Sequence, residues 1–267
     1  MNKKVKKIIS FFFPKGILKD KIKLFFYNAL KPKNISFGLK TGLPGTIYRT
    51  TYKDITLFTH EALYHIADDF NYYQHFYNVK DGDVVIDAGA NCGHLTVLFS
   101  AYAGQNGKVY AFEPDSINIK RISENMALNE NFPKNIRIEE LLLWNENKKI
   151  GFYEAGTVAS SAIYVPDDAK CVQKDAVTID SWCETNNIGR LDFIKMDIEG
   201  AEIEALDGCK KTIAELSPNF AIASYHMVNG EMTYIKVEDF FRRLDYPFKT
   251  VRFRGNEIIT FAGPAIK

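Results

Sequence analysis

The sequence predicts an α/β protein built on an open, doubly wound sheet. Three observations carry that reading. Val84-Val85-Ile86 is apolar on both faces, as a central parallel strand requires, and runs through Asp87 into the loop Gly89-Ala90-Asn91-Cys92-Gly93, with helix-like sequence from His94. Lys108-Val109-Tyr110-Ala111-Phe112 is a second short strand; it ends in Glu113, and Pro114 stops its ladder. In a third run, over 191–198, Ile194, Met196 and Ile198 share one face. Lys195, Asp197 and Glu199 alternate onto the other, near the C-terminal end. Ligands of open α/β sheets bind beyond the carboxyl ends of the strands, which is where these acids fall.

The remaining elements follow in chain order. Residues 1–59 are expected to form a basic, aromatic N-terminal extension, first an amphipathic helix and then a β-rich segment over 41–58. Ile17, Leu18, Ile22, Phe25, Phe26 and Ala29 recur at helical spacing, with Lys19, Lys21 and Lys23 mostly off that face. Residues 60–267 form the main domain. It opens with a helix over 60–78 carrying His60, Tyr64, His65, Tyr72, Tyr73 and His75. Such a face can line an acceptor pocket, although core and interface are its commoner uses. Helices are expected over 94–103, 116–129, 201–216 and 237–244. Further strands are expected over 136–144, 219–225, 248–254 and 257–262. A hairpin-like insert over 148–165 puts Ser160 and Ser161 at the pocket's border.

The loop after the first strand is not a dinucleotide fingerprint. Asn91 and His94 stand where G-x-G-x-x-G needs its second and third glycines. Asp87 fronts the loop, and it would repel a pyrophosphate but not a cation. The loop therefore suits S-adenosylmethionine (SAM), which carries a sulfonium and an amino group and no phosphate. Glu113 follows Gly93 after one helix and one strand, a spacing that lets its carboxylate accept both ribose hydroxyls of a nucleoside. Ionisable groups on a core strand are costly unless paired or functional. Lys195 pairing with Asp197, and Glu202 favouring the first turn of the next helix, are the plain alternatives. For Glu202 the plain reading is preferred; for Asp197, a functional one.

Asp87-Ala-Gly-Ala-Asn-Cys-Gly93, then Ala111-Phe-Glu-Pro114, then Phe193-Ile-Lys-Met-Asp-Ile-Glu-Gly-Ala-Glu202, in this order and spacing, resemble the FkbM-type SAM-dependent methyltransferases. The resemblance covers roughly residues 60–263, and the third motif is its most specific part. Asn125–Asn129, Val177–Asp180 and Leu206–Gly208 are smaller echoes. Cys92 departs from the pattern, where a β-branched or aliphatic residue is more usual. The resemblance implies a class I methyltransferase (Rossmann-like) sheet of seven strands with the last antiparallel. It also implies methyl transfer, usually to a hydroxyl of a sugar, glycolipid or polyketide. On this reading Asp87, Gly89, Asn91, Gly93, Glu113 and Asp197 hold the donor, with Asp87 near its amino-acid end and Glu113 on the ribose.

A hydroxyl acceptor benefits from a base. His226 is the first candidate, because it follows the apolar run Phe220-Ala-Ile-Ala to a strand's carboxyl end and its ordinary pKa is near neutral. Asp197 and Glu199 are alternatives, as base or as ligands of a divalent cation. No pair of histidines stands with an acid in metal-site spacing. The acceptor is expected to be a small molecule or a lipid-linked glycan. Two other functions are weighed against this one. A NAD-dependent oxidoreductase is opposed by the missing glycines. A non-catalytic membrane-surface module is opposed by three intact motifs.

Composition fits one soluble enzyme domain with an extension. Charged residues are 25% and hydrophobic residues 46% of 267, both ordinary values. A net charge of +1 gives no case for nucleic acid. Cys92, Cys171, Cys183 and Cys209 show no C-x-x-C pair and no zinc spacing, and read as thiols of a reducing cytoplasm. The apolar run from Ile8 to Phe13 is short and no small-residue cleavage site follows it, so no signal peptide is expected. The charge is uneven: residues 1–40 carry eleven lysines and one acid, Asp20, which leaves the remainder near −9. A basic amphipathic helix there can lie on an anionic membrane or pack on the catalytic domain. The expected location is cytoplasmic, with residues 1–40 offering a peripheral contact to the inner membrane surface.

Overall fold

The computed structural model describes residues 16–30, 34–40, 46–129, 134–157 and 159–267. Phe11, Phe12 and Phe13, with the rest of the run from Ile8, lie outside them. The described residues fall into two compact units. One comprises those of Met1–Asp69 and Asn125–Glu130, the other those of Phe70–Glu124 and Asn131–Lys267.

The first unit holds helix α1 (Ile17–Leu30) and an antiparallel sheet of β1 (Ile35–Lys40), β2 (Ile47–Tyr52) and β3 (Ile55–Thr59). Strand β1 is an addition to the expected pattern. Leu24 and Tyr27 bury one side of α1. The Tyr27 ring stacks on Tyr64 with centroids 3.9 Å apart. Asn28 brackets the Phe37 backbone, donating to its carbonyl at 2.8 Å and accepting from its N–H at 2.7 Å. The residues expected to form the apolar face are mostly outside this contact: Ile17, Leu18, Phe25 and Phe26 are exposed.

Helix α2 spans Ile66–Tyr73, shorter than the expected 60–78. The Gln74 side chain accepts the Val79 N–H at 2.7 Å and draws the chain out of the helix. The second unit then lays down β4 (Val84–Ala88), α3 (His94–Ala103), β5 (Lys108–Phe112), α4 (Ser116–Ala127) and β6 (Ile136–Glu139). Next come β7 (Leu142–Leu143), β8 (Lys148–Phe152), β9 (Val172–Val177), α5 (Ile179–Thr185), β10 (Phe193–Met196), α6 (Glu202–Asp207) and α7 (Lys210–Leu216). β11 (Asn219–Ala223), β12 (Met227–Val228), β13 (Glu231–Met232), α8 (Thr233–Arg243), β14 (Phe248–Arg252) and β15 (Ile258–Ala262) complete it.

Seven strands form the main sheet in the order β14-β15-β11-β10-β4-β5-β6. β15 runs antiparallel to both neighbours, so the last strand is the reversed one, as the resemblance implied. Val85, Ile86, Ile194, Met196 and Ile222 are wholly buried along the central strands, which is why these segments read as continuous apolar runs.

Three expected boundaries shift for local reasons. The strand expected over 136–144 ends at Glu139, and Leu142–Leu143 pairs with β9 in a separate sheet. The insert is likewise no simple hairpin: β8 pairs with β9, and Tyr153 bridges Ser161 between them. The helix expected over 201–216 breaks at Gly208, where a Cβ would come within 2.2 Å of the Trp144 carbonyl oxygen. The chain needs that close approach, and it turns there.

Candidate active site

The glycine loop is built around close backbone contact. Gly89 has φ +75°, and a Cβ on it would lie 1.8 Å from the Asp197 carbonyl oxygen, so no other residue fits. Gly93, also at φ +75°, opens α3 from a left-handed conformation. Asn91 has φ +51° and donates its N–H to Glu113 Oε2 at 2.7 Å. The other Glu113 oxygen accepts from the Asp115 N–H at 3.0 Å and from Asn118 Nδ2 at 3.4 Å. Burial raises the Glu113 pKa to about 7, more than these hydrogen bonds lower it.

Asp87 and Lys195 are register partners on β4 and β10. Lys195 does not take up the plain alternative of pairing with Asp197; it forms a buried ion pair with Asp87, Nζ to Oδ1 at 3.0 Å. Lys195 also donates to the carbonyls of Ala88 and Gly89, at 3.1 and 2.8 Å. Thr96 Oγ1 donates to Asp87 Oδ2 at 2.6 Å. This pair pins the glycine loop from beneath.

A cavity opens above. Gly89, Asn91, Phe112, Glu113 and Asn118 line one part of it, and Asp197, Glu199 and Ala201 another. Asp87 and Gly93 are outside the lining and shape the loop that reaches it. Thr157 and Ser160 of the insert close one side. Asp115 holds them there, accepting from Ser160 Oγ at 2.5 Å and from the Gly156 N–H at 2.7 Å. Burial would raise the Asp115 pKa, but these bonds and the Ile117 and Asn118 N–H groups outweigh it and lower it. Ser161 is a neighbour rather than a lining residue; its hydroxyl donates to the Glu199 carbonyl at 3.3 Å.

β10 ends two residues earlier than the expected strand, so Asp197 and Glu199 are not placed by strand alternation. Glu199 takes φ +55°, and the turn is held by Glu202, whose Oε1 accepts the Ile198 and Gly200 N–H groups at 3.1 and 3.2 Å. His226, just past β11, lies among all three acids. Its Nδ1 is 3.1 Å from Glu202 Oε1, and its Nε2 is 3.4 Å from Glu199 Oε2 and 3.6 Å from Asp197 Oδ1. Tyr73 donates to Asp197 Oδ2 at 2.8 Å, and the Tyr225 hydroxyl is 3.4 Å from the same carboxylate. Burial alone would lower the His226 pKa; Glu199 and Glu202, then Asp197, push it up to about 10. The near-neutral value expected from sequence is thus corrected by three carboxylates around one imidazole. Asp197, Glu202 and His226 also bring ligand atoms within 4.8 Å of one another, a spacing a cation could bridge.

Glu202, Tyr73 and Tyr225 were missed as site residues. Glu202 looked like a helix-favouring acid because its real partners are a turn and a residue 24 positions on. Tyr73 sat in an aromatic run that also suits a core. Tyr225 carried no signal beyond lying next to His226.

Residues 87–248 match the family described as Methyltransferase FkbM domain. Hexuronic acid methyltransferase AglP of Haloferax volcanii is 27% identical over 147 residues, covering 55% of this chain and 57% of that protein. 2-O-methyltransferase NoeI of Sinorhizobium fredii is 24% identical over 153 residues, covering 51% of this chain and 61% of that one. The chain thus spans about three fifths of the length of these relatives. The crystal structure of Methyltransferase FkbM from Methylobacillus flagellatus KT shares the fold, with a TM-score of 0.51, 22% identity and coverage of 70% of this chain and 45% of its own.

Proposed function

The chain belongs to the FkbM methyltransferase family, and from that premise we propose that it moves a methyl group from SAM to a hydroxyl of a sugar or glycolipid. The carrying observation is the charge of the cavity. Its lining includes Glu113, Asp197 and Glu199 and, among the described residues, no lysine, arginine or histidine. Such a wall fits a cationic, phosphate-free nucleoside and repels the pyrophosphate of NAD. Glu113, whose pKa burial raises to about 7, would take the ribose hydroxyls. Gly89 and Asn91 would bound the donor, and Asp197 would face its cationic end. Bound SAM supplies an activated methyl group, so the protein must exclude water and align the acceptor.

The acceptor's proton would pass to Asp197 or Glu199, which reach the cavity. His226, charged at neutral pH, would orient those carboxylates rather than serve as the free base. Asp197, Glu202 and His226 could instead hold a divalent cation; the imidazolium already supplies positive charge between the carboxylates, so this reading does not call on one. The names of the two curated relatives support the acceptor class, one by a hexuronic acid and the other by transfer to an oxygen. Glu113→Ala should weaken SAM binding by about 2–4 kcal/mol, the worth of two hydrogen bonds to a charged group. Calorimetric titration checks this; an unchanged affinity in a variant that melts like wild type would remove Glu113 from the donor site.

A further inference from the structure

We propose that the outer face of α1 docks on the surface of an anionic lipid bilayer. Among the described residues, twelve large apolar side chains are exposed, and five of them lie in this 14-residue helix: Ile17, Leu18, Phe25, Phe26 and Leu30. Phe25 is 70% exposed and Leu18 63%. Clustering of this kind marks an interaction surface rather than ordinary scatter.

The helix does not need this face to stay in place. At about 100° per residue, Leu24 and Tyr27 fall on one side, where they are buried. Leu18, Ile22, Phe25, Phe26 and Ala29 fill the opposite arc. Lys21 flanks that arc on one edge, and Lys19 and Lys23 on the other. Two apolar stripes on one helix require two partners, and the folded unit supplies only the inner one.

Charge selects the occupant. The helix carries three lysines and one acid, within a segment of eleven lysines and one acid. A second copy of this chain would bring the same positive charge against itself. A zwitterionic surface would leave the lysines unmatched. An anionic bilayer takes both parts: the apolar arc enters the headgroup boundary while the lysines stay among phosphates. The helix is about 21 Å long and lies along the surface; no described helix is long and apolar enough to cross a membrane.

The test is sedimentation of the full chain with vesicles of phosphatidylcholine alone and of equal parts phosphatidylcholine and phosphatidylglycerol. Binding is expected to the mixed vesicles only and to weaken in high salt. Leu18→Glu with Phe25→Glu should reduce it roughly tenfold or more with the melting temperature unchanged, because both side chains are exposed. Should that variant fold poorly, Lys19→Gln, Lys21→Gln and Lys23→Gln together should weaken binding roughly a hundredfold. Equal binding to both vesicle types, or undiminished binding by the folded variants, would overturn the proposal. So would a wild-type dimer that the Leu18→Glu/Phe25→Glu variant makes monomeric, since it would give the face to a second copy. SAM titration is a separate readout, so this inference and the methyl-transfer reading fail independently.

Discussion

Asp87 and Asp197 sit at the carboxyl ends of neighbouring strands beside the same glycine loop, yet their surroundings differ in kind. Asp87 is wholly buried and meets one lysine and one threonine, charge against charge. Asp197 is partly open to the cavity and shares one imidazole with Glu199 and Glu202. The first arrangement is closed: Lys195 faces one Asp87 oxygen and Thr96 the other. The second is an excess of carboxylate over cation, held open at the surface where a donor and acceptor would meet. Matched charge under the loop fixes shape, and unmatched charge beside the cavity is available for chemistry.

That contrast can be broken from either side. Removing one member of a buried pair leaves the other charged and unpaired. Lys195→Met should therefore destabilise the protein by about 3–5 kcal/mol in urea unfolding, and adding Asp87→Asn should recover much of the loss. A loss below about 1 kcal/mol would place Asp87 among the available groups. Asp197→Asn should do the reverse. On the proposed reading it slows methyl transfer to a sugar acceptor by about a hundredfold, with little change in melting temperature. Equal damage to rate and stability would erase the distinction.

A pH-dependent effect sharpens the electrostatics of the open cluster. His226 titrates at about 10 in the folded protein against 6.5 as its ordinary value. A raised pKa means that its stabilisation is complete below about 6.5 and fades as pH rises through about 10. Thermal melts should show wild type losing stability across that window relative to His226→Gln, by at most about 5 kcal/mol, the worth of a shift from 6.5 to about 10. Parallel pH profiles would mean that the three carboxylates do not hold the imidazole charged.

The parts legible in sequence are those with local causes. The glycine loop follows from a strand that must turn sharply into a helix, and Glu113 from a strand stopped by Pro114. The reversed last strand came with the family resemblance. The partner of Lys195 was not legible: adjacency along one strand offers Asp197 as an alternative, whereas lateral pairing of β10 with β4 puts Asp87 beside it. Glu202 reads in sequence as a helix-favouring acid because its role depends on the left-handed turn at Glu199, which the alternating pattern of 191–198 conceals. The His226 pKa was beyond reach for the same reason: its sign depends on carboxylates assembled by that turn. On α1, periodicity found the apolar face, but only packing showed that Leu24 and Tyr27 hold the helix and leave that face outside.

The most direct measurement is calorimetric titration of the full chain with SAM and, separately, with NAD. Micromolar SAM binding and no heat with NAD are expected, since the cavity wall is acidic and, among the described residues, carries no cationic side chain to meet a phosphate. NAD binding without SAM binding would contradict the methyl-transfer reading, and the carboxylates around His226 would then need another explanation.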